Sequence, residues 1–119
     1  MSVVKNQQIA DRWIDGLTGD WSILEALSSP TMRIWHSHDN LWLTREEGAA
    51  RMAESGATDR SPSIQDIRAT PTTHGFVLQG WVEGLADGGK THIVQICTVE
   101  DDKVATCEEY IAPEMNLGS

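Results

Sequence analysis

The sequence has few basic residues and few aromatic residues other than tryptophan. Nine Lys and Arg residues stand against 18 Asp and Glu residues, which gives a formal net charge of −9. A surface that binds nucleic-acid phosphates needs clustered Lys and Arg, whereas the basic residues of this chain are scattered singly. We therefore expect no nucleic-acid partner.

Long apolar runs are also missing. No stretch approaches the roughly 20 apolar residues of a membrane-spanning helix, and residues 1–8 lack the apolar region of a signal peptide. We therefore expect no membrane contact and a cytoplasmic location.

Cysteine is scarce as well. The two cysteines, Cys97 and Cys107, have a spacing that matches no metal motif. We predict that they lie on adjacent strands, where a cross-strand disulfide is conceivable. Two reduced core thiols are the stronger expectation for a cytosolic chain.

The residues that are present fit one globular domain. The chain has 119 residues, of which 39% are hydrophobic and 23% are charged, as in ordinary single domains. We therefore treat residues 1–119 as one domain. Five Trp residues against one Phe and one Tyr are unusual. Because Trp combines apolar area with an N–H donor, it suits a pocket or an interface as well as a core.

Three helices are predicted in the first half of the chain. Apolar residues recur at spacings of three and four between residues 3 and 17, which predicts an amphipathic helix that Gly16 and Gly19 would end. Asp20 is a suitable N-cap for a second short helix. A capping box at Thr44–Glu47 predicts the start of a third helix.

The hydrophobic pattern changes to a period of two after Pro62. It predicts strands at residues 63–73, 76–85, 90–99 and 104–111. Pro71 indicates that the first of them is an edge strand or contains a bulge, and Asp87-Gly88-Gly89 predicts a hairpin turn. With one earlier strand, this order indicates an α+β domain whose helices pack on one face of a curved antiparallel sheet.

The earlier strand follows Ser28-Ser29-Pro30, which would close the second helix. Met32, Ile34, His36 and His38 alternate onto one face of it, and Asp39 comes one residue later. This face begins apolar and ends in two imidazoles, and an imidazole titrates near neutral pH and can act as a general base. The alternative is a strand end whose histidines are solvated or capped by an Asx turn.

Three local patterns carry a family resemblance. They are Trp13 followed by Gly19-Asp20, the stretch from Ser29 to His36, and the hairpin from Val99 to Val104 that leads to Glu108-Glu109-Tyr110-Ile111. Together with the element order, they make the chain similar to the nuclear transport factor 2-like (NTF2-like) superfamily, which includes ketosteroid isomerases and SnoaL-like polyketide cyclases. The resemblance implies a cone-shaped, cystatin-like roll. In it, a curved antiparallel sheet packs against three N-terminal helices around a pocket, and the outer face of the sheet often forms a homodimer.

The resemblance also implies where a site lies. In ketosteroid isomerases a catalytic aspartate ends the first strand, and His36 stands at that place. Their oxyanion-hole tyrosine on the first helix is matched by Trp13, and their protonated aspartate on the second-last strand is matched by Gln95. The isomerase triad is therefore absent, whereas the pocket and the position of the base remain.

The last strand supplies a further candidate. If Cys107 and Ile111 face the interior, Glu109 faces it too, and desolvation would raise the pKa of its carboxyl group. Glu109 could then serve as an acid or as the partner of His36, while a solvated edge carboxylate is the alternative. Asp39 is a second group that could orient His36.

Other side chains near the opening strand are expected to bind a ligand. His38 would lie at the pocket mouth, while Trp13 and Trp42 would wall the pocket and stack against a flat aromatic or polycyclic molecule. A metal held by the two histidines and Asp39 is disfavoured, because neighbouring side chains of an extended strand point apart.

The strand that carries Gln95 has two distinct faces. The resemblance places Gln95 and Ile93 inward, so His92, Val94 and Ile96 lie outside. This outer face is apolar enough to predict a homodimer interface. A bulge would reverse the two faces and make His92 a pocket residue.

Three functions fit these observations. The favoured one is a cofactor-independent isomerase, dehydratase or carbon–carbon (aldehyde) lyase acting on an apolar molecule. His36 would be its general base, Asp39 or Glu109 would orient that base, and Gln95 or Trp13 would stabilise the oxyanion. The alternatives are a non-catalytic module that binds a hydrophobic ligand and a protein-interaction domain of the same fold.

Overall fold

Helices and strands cover most of the computed structural model, which describes residues 3–54, 64–83 and 89–115, apart from the side chains of residues 21, 49 and 51–54. In chain order the elements are α1 (Val3–Thr18), α2 (Trp21–Leu27), β1 (Ser28–His36), β2 (Leu41–Thr44), α3 (Arg45–Glu54), β3 (Gln65–Pro71), β4 (Gly75–Glu83), β5 (Lys90–Glu100) and β6 (Lys103–Pro113). The predicted α+β class is confirmed. Residues 63, 84 and 85 of the predicted strands and residues 87 and 88 of the predicted turn lie outside the described residues.

The strands form one curved sheet in the order β2-β1-β6-β5-β4-β3. Neighbouring strands are antiparallel except for β1 and β6, which are parallel. The long stretch of chain between β1 and β6 permits this parallel pair. As a result, the carboxyl end of β1 lies beside the middle of β6.

Helix α1 packs its apolar stripe on one face of the sheet, the inner face. The helix continues through Gly16 to Thr18, so the prediction that Gly16 ends it is wrong. A Cβ atom on Gly16 would lie 2.6 Å from Leu24 Cδ2. The glycine therefore allows α2 to pack closely against α1.

The predicted caps of α2 and α3 are confirmed. The Asp20 carboxylate accepts a hydrogen bond of 3.0 Å from the backbone N–H of Ser22. At α3, Glu47 accepts from the Thr44 N–H at 2.8 Å, and the Glu47 N–H donates to Thr44 Oγ1 at 3.1 Å. These reciprocal bonds satisfy two of the free donors at the start of α3.

Strand β2 is an element that the sequence pattern did not predict. The chain turns at residues 37–40, where Asn40 has a φ of 57° and Asp39 Oδ1 accepts from the Leu41 N–H at 3.1 Å. Residues 41–44 then pair antiparallel with β1. Only Leu43 of these four is buried, so the short strand has little hydrophobic signature.

The sheet edge beyond β4 is formed by β3, as Pro71 predicted. Its pairing with β4 shifts between Gln65 and Arg68, and Asp66 has a φ of 51° in this bulge. A proline and a bulge both reduce the tendency of an edge strand to pair with another chain.

The core lies between α1, α2 and the inner face of the sheet. Its buried residues are Ile9, Ala10, Trp13, Leu24, Met32, Phe76, Leu78, Cys97, Val104 and Cys107. Trp13 and Phe76 pack with ring centroids 6.3 Å apart. Both cysteines are free thiols, as expected. The hydrogen bond with Cys97 and burial raise the pKa of the Cys107 thiol.

Candidate functional site

His36 and Glu109 are brought together by the parallel pairing of β1 and β6, in which they are direct partners. Ser37, one residue beyond β1, ties the two strands together at this point. Its N–H donates to the Glu109 carbonyl at 2.9 Å, and its hydroxyl accepts from the Ile111 N–H at 2.8 Å. Sequence analysis missed Ser37, although a hydroxyl residue directly after a strand end was a usable signal.

A run of polar contacts crosses the inner face from α1 to β1. Trp13 Nε1 donates to Gln95 Oε1 at 2.9 Å, and Gln95 Nε2 donates to Glu109 Oε2 at 2.8 Å. Glu109 Oε1 lies 3.3 Å from His36 Nε2. Since an indole N–H can only donate, Gln95 must present its oxygen to Trp13 and its amide nitrogen to Glu109.

The charge state of Glu109 follows from this environment. Burial acts to raise the pKa of Glu109, but hydrogen bonds from His36 and Gln95 and the positive charges of His36 and His38 act against burial and leave the pKa below its ordinary value. The prediction of a raised pKa is therefore wrong, because it considered desolvation without the donors. An ionised Glu109 can accept a hydrogen bond from His36 Nε2.

His38 and Asp39 lie in the turn after β1 rather than on the strand. The His38 ring centroid lies 5.4 Å from that of His36, and its side chain is 57% exposed. Asp39 Oδ2 lies 3.6 Å from His38 Nε2. The structure thus places Glu109 beside His36 and Asp39 beside His38.

The two tryptophans that were expected to wall a pocket lie on opposite faces of the sheet. Trp13 is buried in the core on the inner side, and its N–H donates to Gln95 at the buried end of the candidate site. Trp42 pairs with Trp35 across β1 and β2, and it lies on the outer face, opposite to His36. The unpredicted turn and strand β2 reversed the side to which Trp42 points.

The predicted faces of β5 are observed. Gln95 is buried on the inner face, and His92 is exposed on the outer face beside Glu114, whose Oε2 lies 2.8 Å from His92 Nε2. The pairing of β5 with β4 and β6 is regular around these residues. No bulge turns His92 inward.

A groove of about 590 Å³ lies on the outer side of the sheet near β3, β4 and β5. Its lining residues are Asp66, Ile67, Arg68, Gln79, Gly80, Trp81, His92, Ile93 and Val94. His36 and Glu109 do not line this groove. They are reached from the inner face, where their side chains are 24% and 20% exposed.

Neither a metal-binding cluster nor a membrane-spanning helix is present among the described residues. Within residues 3–54, 64–83 and 89–115, no group of three or more His, Cys, Asp and Glu side chains is arranged to hold a metal ion. No helix in these ranges is long and apolar enough to cross a membrane.

Comparison with known proteins defines the fold. No protein-family model and no curated protein sequence matches this chain. Among solved structures, an NTF-2 like protein of unknown function from Burkholderia xenovorans LB400 is 11% identical with a TM-score of 0.76, covering 97% of this chain and 88% of that chain.

Two further structures carry names that suggest an activity. A proposed ketosteroid isomerase from Kribbella flavida DSM 17836 is 17% identical with a TM-score of 0.69, covering 97% of this chain and 83% of that one. A proposed polyketide cyclase from Xanthomonas campestris pv. campestris is 14% identical with a TM-score of 0.64, covering 95% and 91%. This chain therefore has the NTF2-like fold, and at these identities the likeness shows the fold alone.

Proposed function

We propose that this chain catalyses proton transfer on an apolar, aromatic or polycyclic molecule, with His36 as general base and Glu109 as the group that orients it. The run of contacts from Trp13 through Gln95 and Glu109 to His36 supports this proposal. These contacts link the buried indole of Trp13 to the imidazole of His36, whose side chain is 24% exposed. The names of the two structurally similar proteins support a ring-containing substrate.

The contacts select one tautomer of the base. A neutral His36 that carries its proton on Nε2, towards Glu109, has its acceptor lone pair on Nδ1. Nδ1 takes a proton from a carbon beside a substrate carbonyl, and the electron pair of the broken C–H bond moves towards the carbonyl oxygen. Glu109 stabilises the imidazolium that results.

The fate of that proton decides the reaction. Its return from Nδ1 to a different carbon completes an isomerisation. In an elimination such as a dehydration, the enolate electron pair forms the new C=C bond as the C–O bond of the neighbouring carbon breaks, and the leaving hydroxyl takes the proton from Nδ1 and departs as water. Acid–base groups of the protein supply each of these steps, so the proposed reaction uses no cofactor.

The developing oxyanion needs donors near His36. Gln95 has a second amide proton besides the one that it donates to Glu109, and His38 lies on the solvent side of His36 with Asp39 beside it. We assign oxyanion stabilisation to Gln95 and His38. Trp13 is no longer a candidate for this role, because its N–H is already donated to Gln95.

Ring opening of 5-nitrobenzisoxazole tests this base without knowledge of the natural substrate. Removal of one C–H proton breaks the N–O bond and releases a coloured nitrile phenolate. We expect the protein to accelerate this reaction, and because a positioned base commonly contributes about 100-fold or more, His36→Gln should remove most of the acceleration. The control His74→Gln, in the exposed turn between β3 and β4, should keep the parental rate.

Two outcomes would contradict the proposal. Equal rates for the parent and His36→Gln would exclude His36 as the base. Saturable binding of flat aromatic probes without any turnover that depends on His36 would favour the non-catalytic binding module.

We also propose that the outer face of the sheet binds a second copy of the chain. Trp42, Ile96 and Tyr110 are 43%, 39% and 38% exposed on this face, and Tyr110 packs on Trp35 with ring centroids 5.0 Å apart. Large apolar side chains grouped across neighbouring strands are typical of an interface. This proposal keeps Ile96 from the predicted dimer face and adds Trp42 and Tyr110.

A further inference from the structure

Thr91, near the start of β5, carries a hydroxyl group that is buried in the protein. The residue is 1% exposed, and its Oγ1 has no hydrogen-bond partner among the described residues. Buried side-chain hydroxyls are nearly always hydrogen-bonded, so an exception calls for an explanation. A role in hydrogen bonding to a ligand is one such explanation.

The position of Thr91 connects it to the candidate site. Thr91, Ile93 and Gln95 are all buried and alternate onto the inner face of β5. Their partners on β6 are Pro113, Ile111 and Glu109, in a pairing that is regular from Thr91 to Thr98. The inner face therefore presents a polar row at Gln95 and Glu109, then an apolar row at Ile93 and Ile111, and then the Thr91 hydroxyl.

The spacing of these rows indicates the length of a ligand that would contact both polar positions. Four residues of extended strand separate Thr91 from Gln95, which is about 13 Å. The geometry points to Thr91 as a second polar anchor, which hydrogen-bonds the far end of an elongated apolar ligand whose reacting end lies at His36. This inference rests on the proposed function for the reacting end of the ligand, and it names the substrate class: an apolar body with a hydrogen-bonding group at each end.

The Thr91 hydroxyl would let the site discriminate between ligands with and without a hydrogen-bonding group at the far end. The Thr91 hydroxyl is buried from water and has no partner among residues 3–54, 64–83 and 89–115, which is unfavourable for a hydroxyl group. The side chains that cover it must move slightly for a ligand to reach it. A ligand with a hydroxyl or carbonyl at its far end gains the missing bond, whereas a ligand without one leaves the hydroxyl unpaired.

A pair of probes that differ by one hydroxyl tests this inference. We would measure dissociation constants of 4-hydroxybiphenyl and 4,4′-dihydroxybiphenyl from tryptophan fluorescence and by calorimetry. The parent should bind the dihydroxy probe about 5- to 10-fold more tightly, as expected for one additional hydrogen bond. In Thr91→Val, which keeps the shape of the side chain, this preference should disappear.

Thr98→Val is the matched control on the same strand. Thr98 lies on the outer face, and its hydroxyl bonds to that of Thr106 at 2.6 Å. Thr98→Val should therefore lower the melting temperature and keep the parental preference. Thr91→Val should instead keep or raise the melting temperature, because it removes a buried hydroxyl that no described residue bonds.

Three results would overturn the inference. The parent could bind the two probes equally or bind neither, or Thr91→Val could keep the parental preference for the dihydroxy probe. Thr91→Val could also lose as much stability as the control Thr98→Val. The binding assay involves no turnover. A lost role for Thr91 is thus distinguishable from a failure of His36 as base, which is measured by 5-nitrobenzisoxazole ring opening.

Discussion

Glu109 is the residue on which the candidate site depends most, because it touches both the buried amide of Gln95 and the imidazole of His36. Its two oxygens accept from different partners, so the carboxylate is fixed in orientation as well as in charge. A carboxylate with several donors stays ionised despite burial. In this form both oxygens of Glu109 can accept hydrogen bonds, one from Gln95 and one from His36 Nε2.

The lowered pKa of Glu109 predicts how stability changes with pH. The folded-state pKa lies below the ordinary value of 4.5, so the ionised group stabilises the fold above that value, and this contribution is lost as the pH falls through the folded pKa. Glu109→Gln should therefore cost about 2 kcal/mol in the free energy of unfolding at pH 7 and much less at pH 3. Urea unfolding of parent and variant at both values measures this.

Glu25→Gln provides the control for that experiment. Glu25 is an exposed residue of α2, away from the outer face of the sheet. The difference between the parent and Glu25→Gln should be small at both pH values, since an exposed carboxylate contributes little to stability. A loss in Glu109→Gln that is the same at pH 7 and pH 3 would contradict the assigned role of its charge.

At the scale of single elements, the close packing of α1 and α2 depends on one glycine. Alanine normally stabilises a helix interior by about 1 kcal/mol relative to glycine. At Gly16 the new Cβ would lie 2.6 Å from Leu24 Cδ2 and 3.2 Å from the Leu24 backbone nitrogen. Gly16→Ala should therefore destabilise the protein by roughly 1–3 kcal/mol, the usual cost of overpacking, as measured by urea unfolding.

Gly19→Ala separates this packing effect from helix propensity. A Cβ on Gly19 would meet nothing within 4 Å, so this substitution should change stability by less than about 1 kcal/mol. If Gly16→Ala were as stable as Gly19→Ala, the close approach of α2 would not limit the residue at position 16.

The elements also show what the sequence could and could not predict. The helix caps and the alternation along β5 and β6 are local signals. The alternation grouped Gln95 with Ile93 and Glu109 with Cys107, and the family resemblance assigned Gln95 to the inner face. The position of Trp42 depended on β2, whose four residues bury only Leu43. The charge state of Glu109 depended on donors from two other strands, β1 and β5. Such contacts between residues distant in sequence leave no local pattern.

At the scale of the whole molecule, the two faces of the sheet differ in what covers them. The inner face is covered by α1 and α2 and carries the candidate site, whereas the outer face exposes aromatic and aliphatic side chains across β2, β1, β6 and β5. Trp42 also lies 5.1 Å beneath the Arg33 guanidinium. An interface on the outer face would leave the inner face accessible to a ligand.

The proposed dimer predicts a mass of twice the 13.1 kDa chain in sedimentation velocity at micromolar concentration. Ile96→Lys places a charge in the middle of the outer face, and burying an unpaired charge is costly, so this variant should sediment as a monomer with its fold intact by circular dichroism. The matched control is Val4→Lys, at a 69% exposed apolar residue of α1, which should remain dimeric. A monomeric parent, or dimers that persist in Ile96→Lys, would show that the outer face does not bind a second copy.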